Sequence, residues 1–179
     1  MSVIRIQRLE PEDAVLLSNI ARRAYADHFR YLWEDDGEAY IARSFSEEIL
    51  EIELRDATNL YFAAYFDGQA GGFLKLRPHN TLPMFGETAA FEIERIYLAK
   101  EFKGKGIGKR MMSTAIEIAE SMGREIVWLK VMDGNEVSIR FYESWGFSIC
   151  GSEVLRLPKL KPEHAGMYVM RKELGKSQS

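Results

Sequence analysis

Apolar and polar residues alternate from Val3 to Arg8, which predicts a first strand because successive strand side chains point to opposite faces. Pro11 suits a first helical turn, and Glu12 and Asp13 suit the positive end of a helix. Ala14, Leu17, Ala21, Ala24 and His28 then recur at spacings of three and four, predicting a helix with one buried face. The stretch to Asp56 is rich in aromatics and acids and reads as one or two shorter helices, with Ser46 opening the second. Leu60–Phe66 and Gly71–Leu76 read as a strand–turn–strand about the turn signal Asp67-Gly68. A loop at Gly86–Thr88 leads to a strand at Phe91–Leu98, and a glycine-rich turn at Lys103–Gly108 opens a helix. That helix carries an apolar stripe of Ile107, Met111, Ala115, Ile118 and Met122, and Gly123 stops it. Glu125–Met132 reads as a strand and Asn135–Trp145 as a short helix ended by Gly146; Phe147–Leu155 and Ala165–Lys172 are the closing strands. This order predicts an α+β domain built in α/β layers, a mixed sheet with helices on both faces.

No repeat, low-complexity run or Pro/Gly-rich linker breaks the chain. Residues 1–174 are expected to form one domain, with 175–179 a disordered tail. Apolar runs such as Leu60–Phe66 fall far short of the roughly 20 residues that span a bilayer, and the N-terminus lacks a secretory layout. The expected setting is cytoplasmic, with no membrane partner. The formal net charge of −3 argues against general nucleic-acid affinity. One cysteine, Cys150, excludes an internal disulfide and reads as a small core residue. His28, His79 and His164 have no ligand spacing among them, so no metal is expected.

Chemistry concentrates after the strand that ends at Leu98. Glycines let successive backbone N–H groups face inward, and a helix start adds unpaired donors and partial positive charge. The turn Lys103-Gly104-Lys105-Gly106-Ile107-Gly108-Lys109 is therefore built to hold a diphosphate, with Arg110 adding charge. It is not a P-loop, because Gly108-Lys109 is followed by Arg110 where Ser or Thr is needed. Nor is it a dinucleotide turn, because Lys109 stands where the third glycine belongs. Taken alone, a surface turn with a solvated basic face explains it as well.

A second segment narrows the choice. Asn135 caps a helix that carries Tyr142 and ends at Gly146-Phe147. Together the segments resemble the acetyl-CoA-binding core of the GCN5-related N-acetyltransferase (GNAT) superfamily. The first matches an Arg/Gln-x-x-Gly-x-Gly/Ala pattern at Lys103–Gly108, and the second matches Asn-(x)6-Tyr then Gly-Phe. Two positions depart: Lys103 replaces Arg or Gln, and Ser144 stands where relatives often carry a basic residue. Glu92-Ile93-Glu94-Arg95-Ile96-Tyr97-Leu98 and Phe29-Arg30-Tyr31-Leu32-Trp33 look most like the bacterial PaiA-type spermidine/spermine N-acetyltransferases.

The resemblance implies a mixed, mostly antiparallel sheet of about seven strands with helices on both faces. It implies acetyl-CoA as cosubstrate, held by the backbone of Ile96, Tyr97 and Leu98, by Lys103, Gly104, Lys105, Gly106, Ile107, Gly108 and Lys109, and by Asn135 and Tyr142. The amine acceptor would attack directly. Glu94, nine residues before Lys103, would be the general base, with Glu92 in reserve, and Tyr142 would protonate the leaving thiolate. Salt-bridged surface glutamates and a packing tyrosine are the structural alternatives. A polyamine acceptor fits a wall of Tyr25, Phe29, Tyr31, Trp33, Glu34, Asp35, Asp36 and Glu38. A peptide amine as acceptor, or a non-catalytic acyl-CoA sensor, remain the other readings. Dimers are common among relatives, and nothing in the sequence locates an interface.

Overall fold

The structure, a computed structural model, describes residues 2–86 and 88–175. Of the expected tail, only Gly175 falls within them. Strands β1 (Ile4–Arg8), β2 (Leu60–Phe66), β3 (Gln69–Arg77), β4 (Ala90–Leu98), β5 (Ile126–Met132), β6 (Ser148–Val154) and β7 (Gly166–Glu173) form one 7-stranded sheet in the order β1-β2-β3-β4-β5-β7-β6. Five helices accompany it: α1 (Ala14–Phe29), α2 (Glu38–Ser44), α3 (Glu47–Arg55), α4 (Ile107–Ser121) and α5 (Glu136–Ser144). All neighbouring strands run antiparallel except β4 and β5.

Two core clusters sit on opposite faces of the sheet. On one, Leu17, Ala21 and Tyr25 of α1 and Leu50 of α3 pack with Phe45, Tyr61 and Phe73. On the other, Met111, Met112, Ala115 and Ile116 of α4 pack with Leu74, Phe91, Ile93, Val127 and Leu129. Fully burying one such side chain is worth about 1.5–3 kcal/mol, so these contacts fix which way each helix faces. The buried stripe of α4 runs Ile107, Met111, Met112, Ala115, Ile116, Ala119. Ile118 and Met122, expected inside, are only partly buried beside it, because a core-facing helix buries a band wider than one residue.

Three local details differ from the sequence reading. Pro11–Asp13 form a 3-10 turn ahead of α1, in which Asp13 reaches back to the Glu10 N–H at 2.9 Å. The second strand of the hairpin starts earlier, at Gln69. Cys150 is not a core residue: it lies half-buried on the sheet-edge strand β6, where the register shifts between Ile149 and Gly151. Ser46 does open α3, accepting from the Ile49 N–H at 3.3 Å.

The site depends on how β4 joins its neighbours. Against β5 only three rungs form, Ala90–Ile126, Phe91–Val127 and Glu92–Trp128; beyond them the strands part. Against β3 the register slips, since Lys75 faces Arg95 while Leu76 faces Ile93, leaving Glu94 as the extra residue of a β-bulge. The bulge shifts the alternation by one. Phe91, Ile93, Ile96 and Leu98 pack with the α4 side, whereas Glu92, Glu94, Arg95 and Tyr97 line a cavity on the α1 side.

Candidate active site

The glycine turn is anchored from below. A 3-10 turn, Lys100–Phe102, precedes it, and the Phe102 ring lies where a Cβ on Gly71 would sit, 2.3 Å away; only glycine fits there. Arg23 of α1 pairs with Glu101, and Asp27 accepts the Lys100 N–H at 2.9 Å. The turn itself runs through Gly104 (φ +76°) and Gly106 (φ +80°), both left-handed, and Gly106 is the residue before α4. Nothing approaches within 4 Å of the Cβ position of Gly104. The first N–H groups of α4 have no helical partner, so they join the turn in one concave set of donors.

A cleft of about 710 Å³ runs from this turn along the parting between β4 and α5. The Ala99 N–H donates to Gly71 O at 2.8 Å, and pairing alternates along an antiparallel ladder. The backbone groups of Ile96 and Leu98 therefore face away from β3, into the gap. There the Leu98 carbonyl meets one side chain, His28, whose Nε2 lies 2.9 Å away. Burial and the nearby Lys103 hold His28 below its ordinary pKa, against the pull of that hydrogen bond, so the neutral ring donates. Across the cleft Asn135 accepts from the Ser138 N–H at 3.2 Å and so caps α5.

A second cavity, of about 510 Å³, occupies the other side of the parting. Its floor is β4 and β5, with Glu92, Glu94, Trp128 and Lys130; its wall is Tyr25, Phe29, Trp33 and Tyr40 from α1 and the segment after it. The wall is stiff: Trp33 stacks on Tyr40 at 4.7 Å, and its indole N–H donates to the Tyr25 hydroxyl at 2.9 Å. Phe29, Ile96, Tyr97, Asn135, Ser138 and Tyr142 line both cavities. Tyr142 therefore stands at the junction. Burial pushes its hydroxyl well above the usual tyrosine range, so it stays protonated at neutral pH.

The two glutamates of β4 differ. Glu94 Oε1 lies 2.8 Å from Lys75 Nζ and 3.8 Å from Arg95, and Arg77 stands 3.7 Å from Oε2. Lys75 is itself buried and also pairs with Glu53 at 2.9 Å, while Tyr61 donates to Glu53. Burial would raise Glu53, but the Tyr61 and Lys75 contacts outweigh it and hold the carboxyl low. Glu92 has a quieter setting. Asn80 donates to Oε2 at 2.6 Å and Arg77 stands at 3.6 Å, and burial, helped by the charge of Glu94, pushes the Glu92 carboxyl above its usual range.

Of the residues singled out in the sequence, Ile96, Tyr97, Leu98, Lys103, Gly104, Asn135 and Tyr142 line the cleft, and Glu94 lines the second cavity. Lys105, Gly106, Ile107, Gly108 and Lys109 lie beyond the cleft lining. The Lys105 ammonium sits over Phe66 at 4.8 Å, and Ile107 is buried in the core, so only their backbone faces the turn. The aromatics of the expected acceptor wall are in place apart from Tyr31, which lines the cleft instead. The acids Glu34, Asp35, Asp36 and Glu38 do not line the cavity: Asp35 pairs with Lys159 at 3.3 Å and accepts from the Gly37 and Ala39 N–H groups. Arg77, Asn80, Trp128, Lys130 and His28 join the site without having been singled out for it. They come from segments whose patterns read as ordinary strand, helix and loop.

Two cavities thus meet at one buried hydroxyl, with space on each side of it for a separate molecule. Residues 17–147 match the acetyltransferase (GNAT) family, and the chain belongs to that family. It is similar to a PaiA N-acetyltransferase from Thermoplasma acidophilum solved with coenzyme A, with TM-score 0.75, 25% identity, and 96% of this chain and 99% of that one covered. A spermidine N(1)-acetyltransferase from the same organism is 28% identical over 82% of this chain and 89% of the relative. An uncharacterized N-acetyltransferase from Lactobacillus delbrueckii is 28% identical over 83% of this chain and 86% of the relative. The sheet is thus the mostly antiparallel GNAT sheet, opened at its parallel junction. Among the described residues, no group of three metal-ligating side chains and no helix long and apolar enough to cross a membrane is present.

Proposed function

We propose that the protein transfers an acetyl group from acetyl-CoA to a primary amine. The observation that carries the proposal is the junction, where Tyr142 and the β4 residues Ile96 and Tyr97 line both the cleft at the glycine turn and the cavity against α1. The residues present suit coenzyme A: left-handed glycines at 104 and 106, the first of them open, for the diphosphate, with Lys103 beside them, and the Ile96–Leu98 edge for the pantetheine amides. The cosubstrate supplies an activated acetyl thioester.

The chain's own groups do the rest. Backbone N–H groups of the β4 edge polarise the thioester carbonyl. A carboxylate of β4 takes a proton from the acceptor ammonium, freeing its lone pair, and Tyr142 gives a proton to the departing thiolate. Glu94, at the bulge, holds the position that the family resemblance assigns to the base. One observation favours Glu92 instead: Glu94 is already engaged with Lys75, whereas Glu92 keeps a raised pKa and faces the same cavity.

For the acceptor we propose a polyamine. The names of the Thermoplasma relatives and the aromatic wall support it, since stacked rings suit methylene chains and ammonium groups. A second reading, an amine that carries its own carboxylate, is favoured by charge balance. Glu92 and Glu94 have Arg77 beside them, and Glu153 pairs with Lys130 at 2.7 Å. A turnover assay with acetyl-CoA and a panel of spermidine, spermine, amino acids and peptides decides. Free thiol released fastest with the polyamines is the expected result. Release only with amino acids or peptides overturns the polyamine choice, and coenzyme A binding without release across the panel overturns catalysis in favour of a sensor.

A further inference from the structure

We infer that Asn80 positions Glu92 as the group that accepts the amine's proton, an inference that rests on the amine acetylation proposed above. Glu92 pairs with Trp128 on the last rung before β4 and β5 part, so its side chain stands where the gap opens. Trp128 also holds Asn80. Its indole N–H donates to the Asn80 carbonyl at 3.0 Å, while the Asn80 N–H donates to the Arg77 carbonyl at 3.2 Å. Fixed at both backbone groups, Asn80 turns its side-chain amide to Glu92 Oε2 at 2.6 Å. Among the described residues Oε1 has no protein hydrogen bond, and no buried side-chain oxygen is left unpartnered, so Oε1 opens on the cavity.

The partner's chemistry matters as much as its distance. A carboxamide donates a hydrogen bond but has no proton to lose and carries no charge, so it steadies the carboxylate while opposing protonation by no more than that one hydrogen bond. Glu94 has the opposite partner, a buried ammonium at 2.8 Å that a proton would have to displace. In the step, the N–H bond of the acceptor ammonium breaks and an O–H bond forms at Glu92 Oε1. The nitrogen keeps the electron pair and attacks the thioester carbon. The C–S bond then breaks, the thiolate takes the Tyr142 proton, and the nitrogen gives its second proton to solvent, leaving the neutral amide. Both Glu92 and Tyr142 return to their starting states by exchange with solvent.

The charged groups facing Glu92 are Glu94 on its own strand, Arg77 on β3 and Lys130 on β5. Glu94 pushes the Glu92 carboxyl up; Asn80, Arg77 and Lys130 pull it down. The tests use these signs. Carbon-13 carboxyl titration of the full chain, assigned with Glu92→Gln, reads Glu92 with no substrate present. Asn80→Ala should raise its midpoint by about one pH unit, the size of one hydrogen bond to a charged group. Trp128→Phe should raise it less, and Glu94→Gln should lower it. The acidic limb of kcat/KM, measured with the fastest amine of the panel, should move in the same three directions. Glu92→Gln should cut kcat/KM by about a hundredfold or more. Thermal unfolding identifies any variant that fails to fold, and Trp128→Phe then stands in for Asn80→Ala. A midpoint unmoved in folded Asn80→Ala or Trp128→Phe overturns the positioning. An acidic limb that survives Glu92→Gln, or vanishes in Glu94→Gln, overturns the choice of Glu92. If no amine releases thiol while the midpoints still shift, acetylation itself fails, and the claim that Glu92 accepts an amine's proton falls with it.

Discussion

The two halves of the site are built from different materials. The cleft is built around backbone, namely a left-handed glycine turn, the β4 edge that β5 leaves and the capped start of α5, with His28, Phe29 and Tyr31 closing it. The cavity is made of side chains from α1, the segment after it, the loop after β3, five strands, α5 and the stretch near Leu157. Backbone recognition demands glycines and a cap at fixed spacing, whereas side-chain recognition leaves each segment free to look like any other amphipathic strand or helix. Tyr142, which faces both, joins them.

The largest expected effect falls on that junction. Tyr142→Phe should lower kcat by about a hundredfold through loss of the proton donor, with the Kd for coenzyme A unchanged. Stopped thiol release with normal calorimetric binding would bear this out, and an equal loss of binding would make Tyr142 structural. Next comes the backbone half. Gly106→Val forces a branched side chain to φ +80° and should weaken coenzyme A binding by about tenfold, at a strain of about 1–2 kcal/mol. The acceptor KM should not change, and a KM that moved instead would break the division between the halves.

The side-chain half should respond the other way. Tyr40→Ala removes the ring stacked on Trp33 and should raise the acceptor KM several-fold, with coenzyme A affinity held. Smallest of all is the cap. Asn135→Ala should cost about 1 kcal/mol of stability, or about 2–4 °C in Tm, by leaving the Ser138 N–H without its partner.

The same contrast explains what the sequence could reveal. Strand and helix order was legible because periods of two and of three to four are imposed by burial on one face. The glycine turn and Asn135 were legible because positive φ and capping restrict residue type. The bulge at Glu94 was not, since an extra residue in one strand changes which neighbours face each other without changing composition. That shift sets Glu94 beside Lys75 and leaves Glu92 to Asn80, a partner twelve residues away in a loop with no period. His28 continues the three-and-four spacing of α1, yet its ring serves the Leu98 carbonyl in the cleft. The acids after α1 are illegible for a related reason: their pattern shows that they are polar, while only the fold shows that Asp35 is engaged with Lys159 and its own turn.

Every function assigned to the chain depends on the glycine turn and the parted strands accepting coenzyme A. Calorimetric titration of the folded protein with coenzyme A is the direct measurement, with ATP and NAD as controls. One saturable site per chain for coenzyme A, and none for the controls, is the predicted result. No heat and no competition with acetyl-CoA, from protein whose unfolding transition is intact, would contradict it.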